Sequence, residues 1–126
     1  MAKILIADDS RVHQHLVTGW LQDQGHEVVA ALDAVQAFMM GLRTQPDAIV
    51  LDINMPGGSG IDVLKKLKAA AKTQHIPIIV VSGTAGSEIR DLVKRLGAAD
   101  LLEKPLDCEQ FRSAVAAALA LSSEKL

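Results

Sequence analysis

The sequence is poor in several residues and patterns that mark common classes of protein. Its single cysteine, Cys108, excludes a disulfide framework and a cluster of thiolate metal ligands. One tryptophan, two phenylalanines and no tyrosine offer little from which to build the aromatic flanks of a flavin site. No apolar run approaches the roughly 20 residues of a membrane-spanning helix, and the segment before the first acidic residues is too short for a secretory signal. We therefore expect a cytoplasmic domain that enters no membrane.

The charge balance and the length narrow the class further. Thirteen basic and fifteen acidic residues give a net charge of −2, so we do not expect this domain to bind nucleic acid. With 126 residues, of which 49% are hydrophobic and 22% are charged, the chain is long enough to bury a core and short enough to form one domain. We predict a single domain over residues 1–126.

Strand-like and helix-like segments alternate along this domain. The predicted strands cover residues 4–7, 27–31, 48–52, 78–82 and 100–103. The predicted helices cover residues 11–24, 34–43, 62–71, 87–96 and 109–122, and a glycine-rich loop is predicted at 57–60. Five such units with short connections indicate an α/β fold, in which a doubly wound, five-stranded parallel sheet carries helices on both faces.

Apolar periodicity predicts which faces of the first and last helices are buried. His13 lies within the apolar arc of the first helix, and we predict that it is a partly buried, hydrogen-bonded histidine. The apolar positions of the first helix are Val12, Leu16, Val17, Trp20 and Leu21. Those of the last helix are Phe111, Ala114, Val115, Ala118, Leu119 and Leu121.

Polar residues follow four of the predicted strands at the point where each strand ends. Asp8 and Asp9 follow the first strand, and Asp52 closes the third. Ser82 closes the fourth strand, and Lys104 follows the fifth. Ligands of an open parallel sheet bind outside the carboxyl ends of its strands, so three carboxylates, a hydroxyl and an ammonium should meet at one edge. This combination predicts a site for a hard divalent cation and a phosphoryl group.

In these segments the chain resembles the receiver domains of two-component response regulators, the CheY-like superfamily. The resemblance covers essentially the whole chain and implies the strand order 2-1-3-4-5. Each matching segment is weakly specific alone, but all of them in order, each at the end of its own strand, are highly specific. The segments are residues 4–10, 52–56 with Gly60, 80–83 and 104–105.

The resemblance implies a Mg²⁺ site. Asp9 and Asp52 would bind the ion directly, Asp8 would bind it through water, and the backbone carbonyl of Asn54 would complete the protein ligands. Mg²⁺ prefers octahedral oxygen coordination and keeps several waters, so this number of protein ligands suffices.

The resemblance also implies roles in phosphoryl transfer. Asp52 would be the phosphoacceptor and form an acyl phosphate. Lys104 would neutralise the phosphoryl oxygens, and Ser82 would donate a hydrogen bond to them after transfer. Asn54 and Thr84 occupy the positions that tune hydrolysis of the acyl phosphate. The domain would catalyse its own phosphorylation and dephosphorylation without being an enzyme for a separate substrate.

One position departs from the family pattern. Receivers commonly place a Tyr, Phe or His three residues before the lysine, where the ring moves inward after phosphorylation. This chain has Leu101 there, which predicts a weaker conformational response on the last strand. The resemblance further implies that the Lys104–Pro105 peptide bond is cis.

The implied partners are proteins. A histidine kinase or a histidine phosphotransfer protein would supply the phosphoryl group, and a downstream protein or an output domain would read the result. A homodimer through the last two helices is also possible, because one side of the last helix is small and uncharged and the neighbouring helix is basic; helix propensity explains the alanines equally well. The residues concerned are Ser113, Ala116, Ala117 and Ala120, with Arg90, Lys94 and Arg95.

Three alternatives fit the same architecture. A flavodoxin would need the aromatic flanks that this chain lacks, and an aspartate-nucleophile phosphohydrolase would separate its two acids by one residue where Asp8 and Asp9 are adjacent. A receiver-like module that acts without phosphorylation is the stronger rival. The presence of all the acids, Ser82 and Lys104 argues against it.

Overall fold

The computed structural model describes residues 1–55, 59–83 and 86–124. Residues 57–58 of the predicted glycine-rich loop, and Thr84, lie outside the described residues. The strands are β1 Lys3–Ala7, β2 Glu27–Ala31, β3 Ala48–Asp52, β4 Ile78–Ser82 and β5 Asp100–Glu103. The helices are α1 Arg11–Gln22, α2 Ala34–Thr44, α3 Gly60–Ala69, α4 Ser87–Arg95 and α5 Cys108–Glu124.

The strands form one sheet in the order β2-β1-β3-β4-β5, and every neighbouring pair is parallel. The predicted fold class and strand order are therefore confirmed. All five residues of β3 and of β4 are buried, as expected for strands whose two faces are both covered by helices. Their unbroken apolar runs follow from this double covering.

Two cores lie on opposite faces of the sheet, because successive side chains of a strand point to opposite sides. Leu5, Ile49 and Ile78 belong to the core beneath α2, α3 and α4. Their sequence neighbours Ile4 and Ile79 belong to the other core, beneath α1 and α5. This arrangement leaves the carboxyl ends of β1, β3, β4 and β5 along one edge.

Two predictions about helix faces are wrong. Val12 is 83% exposed and Leu16 is 49% exposed, because the buried residues of α1 are Gln14, Val17 and Leu21. At 100° per residue these three lie within one arc. In α5, Leu121 is 45% exposed, although the other predicted positions of that helix are buried or partly buried.

The helix ends differ from the predicted ones by one or two residues. Helix α3 begins at Gly60, because the side chain of Ser59 accepts a hydrogen bond from the Ile61 N–H at 3.1 Å. Helix α5 begins after Asp107, whose carboxylate accepts from the N–H of Gln110 at 2.8 Å. Such side-chain caps satisfy N–H groups that the first turn of a helix leaves free. Among the described residues, none of the helices is long and apolar enough to span a membrane.

Candidate functional site at the carboxyl edge of the sheet

Three carboxylates meet at the carboxyl ends of β1 and β3. Each of Asp8, Asp9 and Asp52 contributes one carboxylate oxygen, and these three oxygens lie within 4.8 Å of one another. Asp8 is 3% exposed and Asp52 is 2% exposed, whereas Asp9 is exposed to solvent. Charges of one sign at this spacing repel one another, most of all where water is excluded. A set of carboxylate oxygens with one solvent-facing member fits a hard divalent cation such as Mg²⁺, which takes a few protein oxygens and keeps several waters.

Asp52 is held by two donors from different parts of the chain. The Lys104 Nζ donates to its Oδ2 at 2.7 Å, and the N–H of Asn54 donates to its Oδ1 at 2.9 Å. Lys104 is 52 residues away in sequence, and the β4–β5 pairing brings it close. Its own N–H donates to the carbonyl of Ser82 at 2.8 Å, and the Lys104–Pro105 peptide bond is cis.

The charge of Lys104 is shaped by the acids around it. Burial lowers the pKa of Lys104, but the hydrogen bond and the charge of Asp52, with the charges of Asp8 and Asp9, raise it by more. The pKa of Lys104 therefore lies above the ordinary lysine value. The ammonium remains charged at neutral pH and offsets part of the repulsion among the carboxylates.

Asp8 is held by groups from the start of α1. The N–H of Ser10 donates to its Oδ1 at 2.9 Å, and the Nδ1 of His13 is hydrogen-bonded to its Oδ2. The Gln14 amide donates to the carbonyl of Asp8 at 2.9 Å and to that of Ala31 at 2.7 Å. The prediction that His13 is partly buried and hydrogen-bonded is confirmed. The sequence did not reveal that its partner is Asp8, although a spacing of five residues across a strand–helix junction permits the contact.

Ser82 and Asn54 lie at the same edge. Ser82 is fully buried and is paired in register with Glu103, the residue before Lys104. Asn54 is exposed, and its backbone N–H is committed to Asp52. The structure thus brings the predicted metal ligands, Ser82 and Lys104 to one edge of the sheet, while their chemical roles stay predictions.

Gly60 lies close against the backbone of Asp52 and Ile53. A Cβ atom at Gly60 would lie 2.2 Å from the Ile53 Cα and 2.8 Å from the Asp52 carbonyl oxygen. The N–H of Gly60 donates to the carbonyl of Ile53 at 3.2 Å. Any side chain at this position would clash with the backbone of Asp52 and Ile53, so the close approach requires glycine.

Beside this edge, the surface between β5 and α5 contains a groove of about 630 Å³. Residues of β5 and α5, including Leu101 and Ala117, line it together with Arg90 of α4. Leu101 is 7% exposed and packs into the core beneath α2, α3 and α4. The position at which the family commonly has a ring is thus filled by a buried aliphatic side chain.

Comparison with known proteins supports one family. The model of the response regulator receiver domain matches residues 4–116. Protein PilH of Pseudomonas aeruginosa is 35% identical over 120 residues, which cover 95% of this chain and 99% of PilH. Sporulation initiation phosphotransferase F of Bacillus subtilis is 31% identical over 121 residues, which cover 96% of each protein. Response regulator PleD of Caulobacter vibrioides is 38% identical, but the match covers only 23% of PleD.

Solved structures agree with this assignment. The chemotaxis protein CheY4 of Vibrio cholerae has a TM-score of 0.88 at 30% identity, with 94% of this chain and 98% of CheY4 covered. The receiver domain of the sensor histidine kinase PA1611 from Pseudomonas aeruginosa shares the fold with a TM-score of 0.86 at 24% identity, covers 94% of this chain and 98% of its own, and has a magnesium ion coordinated in its active site cleft. The chain is therefore a member of the response regulator receiver domain family of two-component signalling.

Proposed function

We propose that this receiver domain accepts a phosphoryl group on Asp52 with Mg²⁺ bound at the carboxyl edge. The observation that carries the proposal is the 2.7 Å contact between Lys104 Nζ and Asp52 Oδ2, inside a cluster of three carboxylates. A buried acid that only stabilised the fold would gain nothing from two further acids beside it. A nucleophilic acid that must receive a metal-neutralised phosphoryl group requires this arrangement.

Each residue of the site then has its own role in phosphoryl transfer. A carboxylate oxygen of Asp52 attacks phosphorus, a new P–O bond forms, and the bond from phosphorus to the donor nitrogen breaks with its electron pair returning to the donor's imidazole. Lys104 is placed to exchange its contact with Asp52 for a phosphoryl oxygen. The Asn54 N–H keeps the Asp52 carboxylate oriented, and Ser82 supplies the hydroxyl that binds the product. Mg²⁺ bound by Asp9, Asp52, water on Asp8 and the Asn54 carbonyl would neutralise the remaining phosphoryl charge.

A histidine kinase or a histidine phosphotransfer protein is the proposed donor. The adjacent surface of α4, β5 and α5 would pass the change to a downstream protein or to an output domain. We propose that the protein works in the cytoplasm, and that it turns over no substrate besides its own acyl phosphate. PilH and sporulation initiation phosphotransferase F are of nearly the same length as this chain, and the name of the second is that of a phosphotransferase.

Intact-mass measurement tests the proposal directly. With Mg²⁺ and acetyl phosphate, the protein should gain one phosphoryl group, whereas Asp52→Asn should gain none. The control is Asp62→Asn, which removes an exposed acid of α3 and should be labelled like the parent. Labelling of Asp52→Asn at the parent level would remove Asp52 from its role. A parent that gains no phosphoryl group, from acetyl phosphate or from a phosphorylated kinase, would favour the phosphorylation-independent interaction module.

A further inference from the structure

His13 lies where it can control the geometry of the metal site. It belongs to the first turn of α1, and its side chain is 22% exposed, compared with 4% for the side chain of Asp8. Its Nδ1 is hydrogen-bonded to Asp8 Oδ2. An ionised carboxylate can only accept hydrogen bonds, so Nδ1 carries the proton and donates it.

Both oxygens of Asp8 are thereby engaged on the protein side. The Ser10 N–H binds Oδ1 at 2.9 Å and His13 binds Oδ2, so two donors fix the rotation of the carboxylate. The Gln14 amide holds the backbone of the same residue through its carbonyl. Of these two donors to the Asp8 carboxylate, the Ser10 N–H belongs to the backbone and the His13 imidazole to a side chain.

The packing around this contact leaves little freedom. A cavity of about 10 Å³ lies between Asp8, His13 and Asp52, and apolar residues such as Val17 and Leu106 close it. This volume corresponds to about one water molecule. The imidazole therefore has no room to turn inward, away from Asp8.

We infer that His13 is a positioning residue, which orients Asp8 toward the cation and thereby raises the affinity of the domain for Mg²⁺. The inference rests on the proposed function and deepens it. A metal site binds its ion more tightly when its carboxylate oxygens already point toward the ion's position. Hydrogen-bond donors to those carboxylates provide this orientation. Loss of such a donor typically weakens metal binding by about 10- to 100-fold. Because Asp8 is expected to act through water, the effect of His13 should lie near the lower end.

A Mg²⁺ titration followed by backbone amide chemical shifts of Ser10 and Asn54 measures the affinity without using phosphorylation. His13→Leu should weaken binding about 10-fold. His13→Asn should recover most of the affinity, because its Nδ2 can replace the Nδ1 donor. The matched control is His15→Leu, an exposed histidine of the same helix, and it should bind like the parent. Thermal unfolding without metal checks that each variant is folded; if His13→Leu is not, His13→Ala carries the same expectation.

A double-mutant cycle separates positioning from a general structural role. If His13 acts through Asp8, His13→Leu should have little further effect on Mg²⁺ affinity once Asp8→Ala has removed the carboxylate. Equal weakening in both backgrounds would overturn the inference. Mg²⁺ binding by His13→Leu that equals or exceeds that of the parent would also overturn it, and would leave the proposed function standing. A parent that binds no Mg²⁺ would overturn both.

Discussion

The carboxyl edge of the sheet and the exposed side of α5 near it are built from opposite kinds of residue. At the edge, two buried acids and an exposed one crowd together, and Lys104 forms a short ion pair with Asp52. On the neighbouring surface, α5 presents small uncharged side chains, and β5 contributes the buried Leu101. We call the exposed residues Ser113, Ala116, Ala117 and Ala120 the α5 face.

Under the proposed function, this difference separates the chemistry of the domain from its output. Bringing a cation or a phosphoryl group to the edge changes strong charge–charge interactions among residues that are already in contact. The α5 face contains no charged side chain whose interactions could change in this way. The hydrogen bond from the Lys104 N–H to the Ser82 carbonyl ties the end of β5 to the end of β4 within the edge itself. We therefore expect large energetic responses at the edge and small structural ones on the α5 face.

The largest expected difference between the edge and the α5 face is in how their variants change the effect of Mg²⁺ on the free energy of unfolding. Mg²⁺ at 100 times its dissociation constant should raise the free energy of unfolding by about 2.7 kcal/mol. Asp9→Asn should lose most of this gain, and without metal it should be up to about 1 kcal/mol more stable than the parent because one repelling charge is gone. Urea denaturation with and without Mg²⁺ measures both. Ala117→Glu on the α5 face is the control and should respond to Mg²⁺ like the parent. If Mg²⁺ raised the free energy of unfolding of Asp9→Asn as much as that of the parent, the expected difference between the edge and the α5 face would be wrong.

The ion pair at the edge predicts a pH dependence. Because the pKa of Lys104 is raised in the folded protein, its stabilising contribution is complete below the unfolded lysine pKa of about 10.4. The contribution is lost as the pH rises through the higher folded value. Above about pH 10, the free energy of unfolding should thus fall more steeply for the parent than for Lys104→Met. Lys65→Met, which changes an exposed lysine of α3, should follow the parent. Matching slopes for the two variants would contradict the raised pKa.

The α5 face predicts the smallest effect. If it docks a second copy of the chain, Ala117→Glu should weaken self-association, because a longer charged side chain prevents close approach. Ala69→Glu, at an exposed position of α3, is the control. Sedimentation velocity over a range of concentrations distinguishes the variants. Indistinguishable sedimentation of Ala117→Glu and the parent would assign these alanines to helix propensity alone.

Sequence patterns were most informative where one physical cause dominates. Strands covered by helices on both faces carry unbroken apolar runs, so β3 and β4 could be located, with the polar Asp52 and Ser82 marking their ends. The acids, Ser82 and Lys104 could be placed together because parallel strands end at a common edge. The buried face of α1 could not be found from hydrophobicity, because Gln14 is buried in place of an apolar residue. Its amide binds carbonyl groups of Asp8 and Ala31, and only the tertiary fold brings those carbonyls together.

The contact between His13 and Asp8 escaped prediction for a related reason. The apolar arc indicated correctly that the imidazole is partly buried, but the partner depends on how α1 is tilted over the end of β1. Leu101, in contrast, could be identified from its position three residues before Lys104. Its burial in the structure agrees with a strand that has no ring to move.

Chemical-shift changes on adding beryllium fluoride and Mg²⁺, which mimic a phosphoryl group on Asp52, test most directly whether the edge and its neighbouring surface respond unequally. Leu101 buries less area than a ring, and at ~25 cal/mol per Å² a smaller change in buried area means weaker coupling. We expect the largest amide shifts at Asp52, Asn54 and Ser82, with clearly smaller shifts across β5 and α5. Shifts on β5 and α5 as large as those at Ser82 would contradict it.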